Sequence, residues 1–241
     1  MTKFAVAIKK TMAKKTEKPA VQQEQVNLEE AINKSEQFFE QNKKIIFSVL
    51  GVIILAVAGG MLYSSKVVAP REIRAAEAIY PGENYMTDGD FRTALEGDAY
   101  GYEGFEALSK EYKNTKAGKL AAAYAGLCCA QLDSFEVAVK YLEKFKGNDQ
   151  MAAPAITGAL ASCYANLGQN EKAASTYEKA AKQASNNLMS PYFNFQAAVI
   201  YEAIGKKDQA LKLHQTNKVS YPESTEGQEA DKYIARINSS K

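Results

Sequence analysis

The spacing of apolar and polar positions divides the chain into three regimes. Along residues 45–65 every position is uncharged, in the run IIFSVLGVIILAVAGGMLYSS. A helix of that length reaches roughly 30 Å, the thickness of a bilayer's hydrocarbon core. A buried core helix is the competing reading, but a soluble helix this long usually keeps polar residues along one face. Because 44 residues precede the run, it does not resemble a cleavable signal peptide. Gly51, Gly59 and Gly60 are tolerable in a membrane helix, and their spacing makes no GxxxG dimer face.

Upstream, Leu28, Ala31, Ile32, Ser35, Phe38 and Phe39 recur at helical spacing, with Asn27 and Glu30 placed as in a capping box. This predicts an amphipathic juxtamembrane helix over 27–44 that runs into the membrane span. Residues 1–26 are lysine- and glutamine-rich, contain Pro19, and predict a disordered tail. A basic membrane-surface segment from Lys3 to Lys15 is the sharper alternative, and Met12 resembles an ordinary translation start.

Downstream of the span, one pattern recurs three times. The segments AGLCCAQLDSFEVAVKYLEKF from Ala125, LASCYANLGQNEKAASTYEKA from Leu160 and AAVIYEAIGKKDQALKLHQTN from Ala197 align. Ala138, Ala173 and Ala210 coincide at spacings of 35 and 37 residues, and Tyr164 and Tyr201 coincide with Cys129. Gly126, Ala161 and Ala198 occupy one small position, while Asp133, Gly168 and Gly205 occupy a turn position. A two-helix unit of about 34 residues repeated in tandem is a solenoid signature. The small residues admit close helix crossing, and the glycines end the first helices where left-handed backbone costs least. Leu142, Tyr177 and His214 fill the space between repeats, and Pro154 and Pro191 open first helices.

This is the tetratricopeptide (TPR) pattern. The second repeat fits best; the third departs at His214 and Asn217, and the first carries Cys129 for the aromatic. The predicted fold is all-α: one N-terminal transmembrane helix followed by a TPR-like α-solenoid of helical hairpins. The expected divisions are tail 1–26, amphipathic helix 27–44, span 45–65, and a helical connector with a degenerate first helix pair 66–118. Three repeats 119–222 and a capping helix and tail 223–241 complete the chain.

Charge and composition narrow the chemistry. The chain carries 30 basic and 28 acidic residues, so no basic surplus points to nucleic acid. His214 is the sole histidine, which excludes histidine-pair zinc motifs, and its helix-packing position in the third repeat disfavours the usual serine or cysteine triad. Cys128, Cys129 and Cys163 fall at packing positions, without a CxxC; an exported body would also permit Cys163 to pair with Cys128 or Cys129. No acid pair or glycine-rich phosphate loop is present, so no enzyme activity, cofactor, metal or small-molecule substrate is expected. Lys34, Lys43 and Lys44 on one flank of the span tie with Lys66, Arg71 and Arg74 on the other, so charge alone leaves orientation open.

First helices of a TPR line the concave side. The candidate groove set is Leu120, Tyr124 and Leu127 with Ala123 and Ala130 in the first repeat. It is Asn166 with Ala155, Gly158, Ala159, Ser162 and Ala165 in the second, and Tyr192, Phe195 and Val199 with Gln196 and Glu202 in the third. None is Lys or Arg, which disfavours a carboxylate-clamp ligand and suits an extended apolar segment or a partner helix. The competing reading is that several merely pack against a preceding or capping helix.

The FFEQNKK end of the amphipathic helix, the span, and LEGDAYGYEGFEALSKEYKNTKAGKLAAAYAGL at residues 95–127 resemble the YfgM-type anchored TPR proteins of Gram-negative bacteria. The resemblance covers roughly residues 27–241. It implies an inner-membrane protein with a cytoplasmic N-terminus and a periplasmic solenoid. It also implies association with Sec translocon subunits, a periplasmic prolyl isomerase-like chaperone and exported proteins. A scaffold subunit of another envelope complex, and a body that stays cytoplasmic, are the alternatives.

Overall fold

The computed structural model describes residues 20–239, with side chains for Phe38 and residues 40–239. The readings placed on residues 1–19, including the Lys3–Lys15 segment and Met12, lie outside the described residues. All regular structure among the described residues is helical, in two units that part between Tyr63 and Ser64.

The first unit holds α1, Ala20–Tyr63. It starts seven residues before Asn27, so residues 20–26, assigned above to the tail, are helical backbone and Asn27 is not a cap. The reason is local: the Ala20–Val26 stretch has neither Gly nor Pro and is rich in glutamine, a good helix former. From Ile45 onward the large apolar side chains are exposed on every side, Leu55 at 74% and Met61 at 69%. One helical run among the described residues is long and apolar enough to cross a membrane.

The second unit opens with a π-helical turn, Ser64–Val68, and α2, Ala69–Thr87. Pro81 lies inside α2 and removes one helical N–H donor. Gly82 beside it forms a notch, because a Cβ there would stand 2.0 Å from the Tyr102 hydroxyl and 2.5 Å from the Phe105 ring. Two short helices follow, α3 (Phe91–Glu96) and α4 (Gly104–Glu111); Phe105 of α4 and Tyr102 from the turn between them fill the notch. Between them Asp98 accepts from Tyr85 Oη at 2.6 Å and from the backbone of Tyr100 and Tyr102, which holds its carboxyl below the usual range. Together with the helix that follows, over residues 116–131, these elements bury Ala75, Ile79, Phe105, Leu108 and Ala121 in one cluster.

Three helix pairs follow: α5 (Lys116–Gln131) with α6 (Phe135–Leu142), α7 (Ala152–Asn166) with α8 (Asn170–Ala184), and α9 (Ser190–Ala203) with α10 (Lys207–Ser220). Each pair turns alike. Asp133, Gly168 and Gly205 are left-handed, with φ of 56°, 70° and 77°. The next amide in each turn bonds back to Cys129, Tyr164 or Tyr201, at 2.8, 2.9 and 2.8 Å. This is the Schellman closure that the aligned turn positions predict. Ala138, Ala173 and Ala210 are fully buried at the crossings. At Gly126 a Cβ would stand 2.8 Å from Leu142, which is why the first helix carries a small residue there. Two helices close the end, α11 (Thr225–Gln228) and α12 (Ala230–Ser239); they divide at Glu229 where a single capping helix within 223–241 was expected. Ala230 and Ile237 are buried, while Asp231, Lys232 and Arg236 face solvent, the polar outer face a terminal repeat needs.

Candidate functional site

The first-helix face of the three pairs sorts the predicted groove residues into two groups. The packed group begins at α5. Leu120 and Tyr124 are half-buried against the Phe105 cluster, the Tyr124 ring 5.1 Å from that of Phe105. Burial and a hydrogen bond to Glu83 push the Tyr124 phenol up to about 12. Leu127 packs against the cluster of Leu142, Ile156 and Cys163. Phe195 is covered by the terminal helix, its ring 5.1 Å from Tyr233 and 5.9 Å from His214. Ala123 and Gly158 are also buried, and a Cβ on Gly158 would meet Phe193 at 2.4 Å. Sequence spacing leaves these six between an open groove and packing against a preceding or capping helix; the structure packs them, in whole or in part, against neighbouring helices.

The open group is smaller. Tyr192 is 47% exposed and Val199 40%, and Ala155, Ser162 and Asn166 are exposed on α7. The Asn166 amide donates to the Ser162 carbonyl at 3.0 Å. Tyr192 packs edge-on against Phe193, 5.4 Å between rings, and Phe193 stacks on Tyr177 at 6.1 Å. The Tyr177 phenol reaches Ser162, so α7, α8 and α9 meet behind this strip. The strip carries no formal charge. The half-buried Glu202 at its edge is held by Arg236 at 2.6 Å.

Sequence reasoning missed a second set of contacts. Tyr164 Oη donates to Glu143, and Tyr201 Oη donates to Glu178 at 2.7 Å. Each tyrosine opens the turn of one repeat, and each glutamate lies at the end of the preceding second helix or within it. The bond therefore ties neighbouring repeats. It was detectable as a double match, since Glu143 and Glu178 align in the same register as Tyr164 and Tyr201. In the first repeat Cys129 occupies the tyrosine's position, and the tie is lost.

The two departures in the third repeat have different standing. Asn217 is fully buried and satisfied: it donates to the Pro191 carbonyl at 2.9 Å and accepts from Asn194 at 3.0 Å. His214 is also fully buried, but both ring nitrogens lack a hydrogen-bond partner. Its ring stacks on Tyr233 at 5.0 Å with the planes 10° apart. Burial lowers its pKa below the usual 6.5. The three cysteines are buried and free, and burial pushes their thiols up, Cys128 to about 12. Among the described residues no three His, Cys, Asp or Glu side chains converge on one point.

Comparison with known proteins agrees with this geometry. The tetratricopeptide repeat family model matches residues 158–187, the junction of α7 and α8. No curated protein matches the chain. A crystal structure from Podosopora anserina, of nearly identical TPR-like repeats in a protein assigned as a kinesin light chain, superposes with TM-score 0.52 at 16% identity. The match covers 70% of this chain and 87% of that one. A point variant of the same protein matches at the same score and identity, covering 86% of its own chain. The chain thus carries a tetratricopeptide repeat within a TPR-like solenoid, an architecture used to bind other proteins.

Proposed function

We propose that the chain is a membrane-anchored protein-interaction module whose solenoid works at the surface of a bacterial inner membrane. The observation that carries this reading is the pairing of one apolar helix, exposed on all sides, with a TPR-like solenoid whose open first-helix strip is uncharged. An uncharged strip anchored by Tyr192 and Val199 suits an apolar segment of a partner rather than an acidic peptide terminus. The resemblance to YfgM-type proteins supports the finer reading. In it the N-terminus is cytoplasmic, the solenoid is periplasmic, and the module assists a prolyl isomerase-like chaperone with exported proteins leaving the Sec translocon. Neither a cofactor nor a small-molecule substrate enters this reading, and the chain is not an enzyme.

The test is cross-linking of the full-length protein in its own membranes, followed by identification of what is captured. Sec channel subunits with a periplasmic chaperone are the expected partners. Replacing Tyr192 and Val199 by serine should then reduce capture severalfold with helix content unchanged. Unchanged capture would remove the strip from the function. Capture of a different envelope complex in fixed stoichiometry, with no unfolded client, would favour the scaffold reading. One observation favours that alternative: much of the predicted groove is packed within the solenoid, which narrows the surface left for clients.

A further inference from the structure

On the side away from the first-helix strip, the second helices of the first two repeats do not meet along their full length. Helix α6 has eight residues and ends at Leu142, whereas α8 has fifteen and runs to Ala184. The chain then takes residues 143–151 to reach α7. A cavity of ≈ 630 Å³ opens there, with Phe145, Ile156 and Leu160 among its apolar lining. That volume lies in the range of ligand-sized clefts.

The rim is basic. Lys146, Lys172 and Lys179 line it against one carboxylate, Glu143, which leaves a net charge of +2. Glu143 is already engaged: it accepts from Tyr164 Oη, and Lys172 Nζ stands 3.4 Å away, over the Tyr164 ring at 4.0 Å. The hydroxyl of Tyr164, then Lys172, hold the Glu143 carboxyl below its usual range. Lys146 and Lys179 are exposed and form no ion pair among the described residues. The repeat supplies the cavity, and this junction adds charge to it. At the next junction a smaller cavity of ≈ 470 Å³ takes the same place, but the positions of Lys172, Thr176 and Lys179 are taken by Gln209, Leu213 and Thr216, and Lys182 and Lys212 against Glu178 leave a net charge of only +1.

We propose that this cavity is a second docking site, separate from the uncharged strip, for an extended acidic segment of a partner protein. One aliphatic or aromatic side chain of the segment enters between Phe145 and Leu160, and flanking carboxylates meet Lys146 and Lys179. Charge complementarity selects the acidic segment, and the apolar floor excludes a bare anion. Long-range attraction to the two free lysines speeds encounter, and the buried side chain sets residence.

The experiment uses the full-length protein in lipid nanodiscs. Fluorescence anisotropy follows a labelled synthetic peptide alternating aspartate with leucine and phenylalanine, and a second peptide with asparagine for every aspartate. The acidic peptide should bind at least about tenfold more tightly than the neutral one, with affinity falling as salt rises. The K146E/K179E double variant should lose about tenfold or more for the acidic peptide, and Tyr192→Ser should leave it unchanged. Both lysines are exposed, so neither substitution removes a packing contact. Equal binding of the two peptides, no binding of the acidic one, or full retention by the double variant overturns the proposal. So does loss of acidic-peptide binding in Tyr192→Ser, which moves recognition to the strip. Displacement by inorganic phosphate as effective as by unlabelled peptide also overturns it, reducing the site to a simple anion site.

Discussion

His214 shows most clearly what a single residue contributes. Its buried ring packs against Phe195 and Tyr233, with both nitrogens unpaired. The nearest charges act in opposite directions: Glu202 favours the imidazolium and Arg236 opposes it, so desolvation decides and the folded pKa is lowered. The unfolded chain therefore takes up a proton before the folded one does. Stability is full above the unfolded value of about 6.5 and falls as pH drops through it, until the folded pKa is reached. The loss is at most about 1.4 kcal/mol per pH unit within that window. His214→Phe should flatten the dependence of melting temperature on pH between about 7.5 and 5.5, relative to the parent protein. Parallel pH profiles for the two proteins would show that the imidazole is not held neutral by burial.

At the scale of elements, the first turn of α5 shows how two distant helices are joined. Thr115 accepts from the Gly118 amide at 2.9 Å, which is an ordinary N-cap. The next donors are met from 44 residues away. Glu72 on α2 accepts from Lys116 N at 2.8 Å and Ala117 N at 2.7 Å, one carboxylate oxygen for each. Arg71 beside it donates to the Glu111 carbonyl at 2.7 Å. A carboxylate at a helix N-terminus also meets the positive end of the helix dipole. Glu72→Ala should therefore cost about 1–2 kcal/mol, with Glu72→Gln intermediate. Thermal unfolding would measure this directly, and an unchanged midpoint for Glu72→Ala would mean that water caps α5 equally well.

At the scale of the whole molecule, stability accumulates between neighbours, because each repeat touches only the next. The Tyr164–Glu143 and Tyr201–Glu178 bonds lie on these junctions, as do the Tyr177–Phe193 contact and the His214–Tyr233 stack. The terminal helices matter most, since only they cover α9 and α10 from outside. A chain ended after Tyr221 would lose the buried Ile237 side chain, worth about 1.5–3 kcal/mol by itself, and would expose Phe195 and His214. The expected result is melting of the last pair at lower temperature, with new binding of a hydrophobic dye, while the first two pairs retain their helix. A single unshifted transition would show that the capping helices add nothing.

The solenoid was legible in the sequence because its periodicity is local. The turn positions Asp133, Gly168 and Gly205, the small residues Gly126, Ala161 and Ala198, and the uncharged run 45–65 act within a few residues of themselves. Short-range sterics and hydropathy dictate their roles before any packing occurs. The opening of α1 at Ala20 was hidden, because composition alone resembles a tail where propensity favours helix. The groove was only half legible. Spacing tells which residues share a first-helix face, but not how much of that face the neighbouring helix consumes, so Tyr124 and Phe195 were indistinguishable from Tyr192 and Val199. The lysine-rimmed cavity, the Glu72 cap and the unpaired imidazole lay beyond reach for the same physical reason. Each depends on where a helix ends relative to a partner far along the chain, and only tertiary packing sets that distance.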